Sequence, residues 1–263
     1  MHAALILKAL ALLVASAMAG AINAVAGGGT LLTFPTLIWL GLPAIAANAT
    51  STVGLVPGAM SGTWGYRREV KQSKEWLLLL APSSLLGGLA GGLLLVETPP
   101  AIFDRLAPLL VLAATVLFIL QEPISRRLRR GAEAGSGRPH RLLVVGCQFF
   151  IALYGGYFGA GMGILMLAAL GLLHLGDIHR MNGLKTLTGG LINTVASVLF
   201  IVKGMVTWPV ALTMAVGSVL GGYFAADAAR KLGQRTVRSI VIGVGLTATV
   251  VLAVQRLLAG VAP

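Results

Sequence analysis

Two clusters of glycine lie inside stretches of the sequence that are otherwise apolar. The first is Gly27–Thr30, and the second is Gly159–Met162. Glycine lets the backbone turn sharply and approach a ligand closely, and a helix that starts at such a turn presents unpaired N–H groups and the positive end of its dipole. These features favour an anion, so we predict that both clusters bind one. Close packing between helices is the alternative interpretation.

A polar stretch follows each glycine cluster at a similar spacing. Asn48 and Thr52 follow the first cluster, and Asn182 and Thr186 follow the second. Amide and hydroxyl groups can donate hydrogen bonds to the oxygens of an anion. In the alternative interpretation they cap helices or join neighbouring helices. The predicted binding site consists of Gly27, Gly28, Gly29, Thr30, Asn48, Thr52, Gly159, Ala160, Gly161, Met162, Asn182, Lys185 and Thr186.

Lys185 is the charged member of this set. It lies near the start of an otherwise apolar segment, and a cation at membrane depth is costly and usually functional. We expect it to complement the charge of a bound anion or to carry a coupling proton. The alternative is that its side chain snorkels to the cytoplasmic surface.

The motifs of common enzyme classes are missing from the sequence. It contains no HExxH zinc motif, no Gly-x-Ser-x-Gly elbow, no phosphate-binding P-loop and no pair of carboxylates within the apolar segments. Cys147 is the single cysteine, so a thiolate metal cluster within one chain is excluded. His174 and His179 flank Asp177, but this cluster supplies too few ligands for a metal site. We expect a protein that is not an enzyme and has no catalytic residue, metal or cofactor.

Long apolar segments must position the predicted site. Of the 263 residues, 57% are hydrophobic and 11% are charged, whereas soluble domains carry about 25% charged residues. Because the segments are continuously apolar rather than alternating, helices are favoured over a membrane β-barrel. The predicted fold class is an all-α, polytopic membrane protein with about 8 to 10 hydrophobic segments, each close to the roughly 20 residues needed to cross a bilayer. The lipid bilayer is therefore an expected partner.

The segments form two copies of one unit, because three motifs recur in the same order and at a nearly constant spacing. The matched pairs are Gly27–Thr30 with Gly159–Met162, Asn48–Thr52 with Asn182–Thr186, and Ser84–Gly88 with Ser218–Gly222. We predict transmembrane repeat 1 over 1–121, an Arg-rich linker over 122–140 and transmembrane repeat 2 over 141–263. An odd number of crossings per copy makes the repeats inverted, a layout typical of secondary transporters with broken helices. Four crossings per copy would remove the inversion.

Basic residues predict the orientation. The net charge is +12, and most of the basic residues gather near Arg67–Lys74, in the linker and near Arg230–Arg238. Such clusters between apolar segments mark the cytoplasmic side of a membrane protein, so we expect no nucleic-acid partner. The predicted location is the bacterial cytoplasmic membrane, with the Arg-rich linker inside the cell.

The motifs together resemble a known family. The paired glycine clusters, each followed by Asn-x-x-x-Thr, the loop Tyr66–Arg68 and the two-copy layout look like the sulfite exporter TauE/SafE family of membrane permeases. The resemblance extends from about Ala11 to Leu258. It implies a permease for sulfite, sulfoacetate or a related sulfur-containing anion. The second cluster departs from the pattern at Ala160 and Met162, which raises the question whether both breaks contact the substrate equally.

We therefore expect a secondary transporter for a small sulfur-containing anion such as sulfite or an organosulfonate. The anion would bind near midplane between the two glycine breaks, mostly through backbone N–H groups. The alternatives are an anion channel, a permease for a different small organic anion, an intramembrane enzyme and a structural or assembly partner. Besides the anion and the bilayer, a second copy of the chain is an open alternative as a partner.

Overall fold

A computed structural model describes residues 2–25, 27–134, 141–171, 178–224 and 234–259, and all regular secondary structure in these ranges is helical. The predicted all-α fold class is confirmed. The helices are α1 (His2–Val25), α2 (Thr30–Trp39), α3 (Ala44–Gly65), α4 (Arg67–Gln72), α5 (Lys74–Glu97), α6 (Pro100–Ala134), α7 (Arg141–Tyr157), α8 (Met162–Gly171), α9 (Ile178–Val202), α10 (Trp208–Tyr223) and α11 (Gln234–Ala259).

Helix length and composition are those of a multi-pass membrane protein. Within the described residues, four helical stretches are long and apolar enough to cross a bilayer: Ile6–Ala24, Lys74–Glu97, Pro100–Leu120 and His179–Val202. The ten-residue helices α2 and α8 are each roughly 15 Å long. Because the hydrocarbon core is about 30 Å thick, α2 cannot cross it alone, and the described part of α8 is equally short. The chain is therefore broken at both glycine clusters, as predicted.

Helix α6 is longer than the sequence predicts. It continues to Ala134, so residues 122–134 of the predicted linker extend the last helix of the first copy. Residues 135–140, together with Arg230, Lys231, His174 and Asp177, lie outside the described residues. The boundaries of the two repeats, their inversion and the cytoplasmic position of the linker stay predictions.

Each half of the chain supplies a helix to the other half. Helix α5 packs mainly against α7 and α9, while α10 packs mainly against α1 and α3. Glycine makes both contacts possible, since a Cβ on Gly88 would lie 3.1 Å from the Cα of Ile192, and one on Gly222 would lie 2.6 Å from the carbonyl oxygen of Gly58. These glycines serve helix packing, because small residues let membrane helices approach closely.

An aromatic cluster joins the two halves beside the glycine breaks. The rings of Phe34 on α2 and Phe158 after α7 meet edge to face, with centroids 5.3 Å apart, and Phe103 on α6 lies 6.5 Å from Phe34. All three side chains are buried. Edge-to-face packing of rings at such distances is favourable beyond the area that it buries, so the cluster fixes α2 against the second half.

Candidate functional site

The two glycine breaks have the same backbone geometry at their first residue. Gly27 has a φ of 76° and Gly159 a φ of 77°. This left-handed conformation costs other L-residues roughly 1–2 kcal/mol, which explains why glycine stands at both positions. Helices α1 and α7 end just before these residues, and the short helices α2 and α8 begin just after them.

The breaks touch each other. A Cβ on Gly27 would lie 2.5 Å from the Cα of Gly163, which is closer than side-chain carbons approach a backbone. The missing side chain therefore allows the first break to rest on the first turn of α8. We expect the anion between the two breaks, and this contact brings them together.

A cavity opens where the breaks meet. It is partly open to solvent and holds about 40 Å³ of space for water-sized groups, which is room for a few waters or a small anion in this conformation. The predicted site residues that line it are Gly27, Gly28, Thr30, Gly159, Met162, Lys185 and Thr186. The remaining lining residues are Asn23, Ala24, Gly58, Ala59, Gly163, Met166, Gly189, Gly190 and Asn193.

The other predicted site residues do not line the cavity. The side-chain amide of Asn48 donates a hydrogen bond to the carbonyl oxygen of Tyr157 at 2.8 Å, and the hydroxyl of Thr52 donates to the carbonyl oxygen of Asn48 at 2.9 Å. These two residues join or brace helices in this conformation. The buried residues Gly29, Ala160, Gly161 and Asn182 also lie outside the lining.

Lys185 is buried beside the end of α1. Only 3% of the residue is exposed, and its Nζ donates to the carbonyl oxygen of Ala24 at 3.3 Å. The C-terminal end of a helix favours a cation. The side chain therefore points into the protein, and it does not snorkel to the surface. An ammonium has three N–H donors, so this contact leaves donors for a ligand.

Thr186 adds an unpaired hydroxyl to the same wall. Its Oγ1 is buried and has no hydrogen-bond partner within the described part of the chain. Buried polar atoms are nearly always paired, so an orphan calls for an explanation such as a water or a ligand. Lys185 and Thr186 thus offer hydrogen bonds to an occupant of the cavity.

Backbone donors differ between the breaks. The N–H groups of Gly28 and Gly29 donate to the side-chain oxygen of Asn23, at 3.1 Å and 2.7 Å. The expectation that these amides are open to an anion is therefore wrong for this conformation, because a side chain already occupies them. At the second break, the N–H groups of Gly161 and Gly163 have no acceptor among the described residues.

Several lining residues were missing from the predicted set, although the sequence carries signals for some of them. Asn23 is a polar residue shortly before the first glycine cluster, and Gly163 directly follows the second. Gly189 and Gly190 lie about one turn after Lys185 on α9. Gly58 and Ala59 carry no such signal, because their place in the wall depends on how α3 packs.

The cavity is not built to hold a metal. No group of three or more His, Cys, Asp or Glu side chains suited to a metal ion occurs in the part of the chain that the structure describes. The polar groups of the cavity wall come from Lys, Thr and Asn side chains and from the backbone. These groups include hydrogen-bond donors and a Lys side chain but no carboxylate, so the cavity suits an anion better than a cation.

The chain is similar to known membrane transporter proteins. A family model described as "Sulfite exporter TauE/SafE" matches residues 12–252. The chain is 29% identical over 228 residues to a "Probable membrane transporter protein" of Haemophilus influenzae, with 86% of each chain covered. It is 27% identical over 226 residues to the "Probable membrane transporter protein YfcA" of Escherichia coli K12, covering 86% of this chain and 82% of the relative.

A third relative is the "Probable membrane transporter protein ORF9" of Sinorhizobium sp. The chain is 27% identical to it over 236 residues, covering 89% of this chain and 88% of the relative. No solved structure matches the chain. The family match extends through both glycine breaks and the cavity between them.

Proposed function

Because the chain belongs to the sulfite exporter TauE/SafE family of membrane transporters, we propose that it moves a small sulfur-containing anion, such as sulfite or an organosulfonate, across the bacterial cytoplasmic membrane. The observation that carries the proposal is the buried side chain of Lys185 in the wall of the cavity where the two breaks meet. The breaks, Lys185 and Thr186 form the binding site.

Charge balance supports an anion as the occupant. Among the described residues, no carboxylate forms an ion pair with Lys185, whose hydrogen bond goes to the carbonyl oxygen of Ala24. An ionised group removed from water costs several kcal/mol unless it is compensated. A bound anion would supply that compensation, so its affinity would come largely from the ammonium.

The remaining groups of the wall would orient the anion. The free hydroxyl of Thr186 and the unpaired N–H of Gly163 can each donate to an anion oxygen. Met162 and Met166 present thioethers and methylene groups, which suit the sulfur or the apolar part of an organosulfonate. The chemistry of the cavity fits a small anion with several oxygens and a compact apolar or sulfur centre.

Transport requires energy as well as a site. Moving one charge through the membrane potential is worth about 2.3 kcal/mol per 100 mV, and an inside-negative potential drives an anion outward. A carrier that binds a single anion can therefore export it without a nucleotide. Proton coupling is a further expectation of the proposal, and a pH gradient tests it.

The test is flux into proteoliposomes that contain only this protein. The panel is sulfite, sulfate, thiosulfate, sulfoacetate and taurine, each measured with and without a pH gradient. We expect saturable flux of one or more sulfur anions, with counterflow of unlabelled substrate accelerating uptake of labelled substrate. Flux that rises linearly with concentration and shows no counterflow would favour the channel. Folded, inserted protein that moves none of the panel would contradict the proposed substrate class.

A further inference from the structure

The side chain of Asn23 occupies two backbone hydrogen-bond donors at the first glycine break. Its side-chain oxygen accepts hydrogen bonds from the N–H groups of Gly28 and Gly29, at 3.1 Å and 2.7 Å. Both donors stand at the start of α2, a helix of ten residues. Two backbone N–H groups converging on one oxygen at a helix N-terminus is the arrangement by which proteins bind an oxyanion.

The same short segment also engages the cation of the site. Lys185 donates to the carbonyl oxygen of Ala24, the residue after Asn23, and both residues line the cavity. Two oxygens of α1 thus cover two backbone donors and the ammonium. Thr186, whose buried hydroxyl lacks a partner among the described residues, lines the same cavity and can donate to an occupant there.

We propose that Asn23 is an internal competitor for the transported anion. Its carboxamide oxygen holds the N–H groups of Gly28 and Gly29 when the site is empty, and it gives them up when an anion oxygen takes its place. The inference rests on the proposed function of the cavity. It assigns Asn23 a role in setting the affinity for the anion.

The second break shows that such a side chain is not needed to form the backbone turn. The match that pairs Gly27 with Gly159 also pairs Asn23 with Gly155, which has no side chain to donate or accept. The turn at Gly159 nevertheless has nearly the same φ as the turn at Gly27. The amides of Gly161 and Gly163 have no acceptor among the described residues. The first break therefore carries an acceptor that the second break does without.

The rival explanation is that Asn23 is an ordinary structural cap of α2. Aspartate caps a helix as well as asparagine does, and its charge suits the helix dipole. A structural role therefore predicts that Asn23→Asp keeps its transport activity. An internal competitor predicts the reverse, because a tethered carboxylate would hold the N–H groups more strongly than the carboxamide oxygen does.

The experiment measures the KM for anion flux in proteoliposomes and, separately, the rise in melting temperature that sulfite and sulfate cause in detergent. For Asn23→Gly we expect a KM about five- to tenfold lower than that of the wild type, since the lost acceptor competes through hydrogen bonds of ordinary strength. For Asn23→Asp we expect no saturable flux and a melting temperature no lower than that of the wild type. Asn23→Ser serves as a second variant if Asn23→Gly fails to fold, with a smaller decrease in KM.

Asn193→Asp is the matched control, because Asn193 lines the cavity and is not bonded to the break amides. It should retain saturable flux with a raised KM. The inference is overturned if Asn23→Asp transports like the wild type, if Asn23→Gly folds with an unchanged or higher KM, or if Asn193→Asp is as inactive as Asn23→Asp.

The two readouts separate this inference from the proposed function. Wild-type flux with a KM that is indifferent to Asn23 would overturn the inference alone. Absent flux, together with an anion-induced rise in melting temperature that is larger in Asn23→Gly than in the wild type, would contradict transport and support the inference. Absence of both flux and any thermal response to anions would overturn both.

Discussion

Equivalent positions in the two copies use their polar side chains in opposite ways. Lys185 and Thr186 line the cavity, whereas their counterparts Ser51 and Thr52, in the stretch that follows the first glycine cluster, are tied to the protein. The hydroxyl of Ser51 lies 2.7 Å from that of Thr33, and that of Thr52 bonds to the backbone of α3. At these two pairs of positions, the side chains of the first half are bonded within the protein, while those of the second half face the cavity.

The apolar residues differ in the same sense. Met166 lines the cavity. The match that pairs Gly27 with Gly159 makes Phe34 the counterpart of Met166. The ring of Phe34 packs edge to face on Phe158. A flexible thioether thus stands beside open space in one copy and a ring fills the space in the other. The two breaks share a backbone turn, and the side chains at matched positions beside them differ.

The largest effect is expected from the glycine that allows the breaks to meet. Gly27→Ala combines a left-handed backbone with a Cβ that would lie 2.5 Å from the Cα of Gly163. We expect a loss of more than about 4 kcal/mol of stability, in the range of exceptional single substitutions, and no flux. Melting temperature in detergent and flux in proteoliposomes measure the two effects.

Gly41→Ala is the control for Gly27→Ala, because Gly41 has a φ of 93° and open space around its Cα. It carries only the conformational cost, roughly 1–2 kcal/mol, and should transport. Equal losses in the two variants would show that contact between the breaks contributes nothing.

The next largest effects are expected from Phe34, which lies in a packed region, and from Met166, which lies beside the cavity. Phe34→Ala empties a fully buried site and should cost about 3–5 kcal/mol. Met166→Ala, beside an existing cavity, should cost about 2 kcal/mol and shift selectivity towards bulkier sulfonates. Thermal unfolding and competition among panel anions test these expectations. A selectivity change in Phe34→Ala without one in Met166→Ala would place the site in the other copy.

The smallest effect tests the paired threonines. Thr186→Val removes a hydroxyl that has no partner among the described residues, and we expect the KM to rise about three- to tenfold, which corresponds to one hydrogen bond to an anion. Thr52→Val removes a hydroxyl that bonds to Asn48, so it should alter stability and leave the KM within about twofold. The KM of each variant is the measurement. A larger KM change in Thr52→Val than in Thr186→Val would show that the threonine of the first half, and not that of the second, binds the anion.

Much of the fold could be predicted from local sequence patterns. Continuous apolar segments predicted the helices, and the match between Gly27 and Gly159 anticipated two turns with nearly the same φ. Both features depend on residues close together in the chain. The extension of α6 to Ala134 was missed, because a charged, Arg-rich stretch is as compatible with a helix as with a linker.

Contacts between distant segments limited the prediction of the site. Asn48 was placed in it on spacing alone, but its amide bonds to Tyr157, which is far away in the sequence. Asn23 gave a polar signal, yet its hold on Gly28 and Gly29 follows from the path of the chain after α1. Lys185 was singled out as a charged residue in an apolar segment, with snorkelling as the alternative, and packing against α1 determines what its side chain contacts.

The most direct test of the account is equilibrium binding of the best-transported anion to purified Lys185→Met and Lys203→Met. Lys203 is exposed one residue beyond the end of α9, so it controls for the loss of one positive charge. We expect Lys203→Met to bind like the wild type and Lys185→Met to bind at least about thirtyfold more weakly, as expected when a buried charge partner is removed. Equal affinities in the two variants would show that the cavity between the glycine breaks does not bind the anion through Lys185.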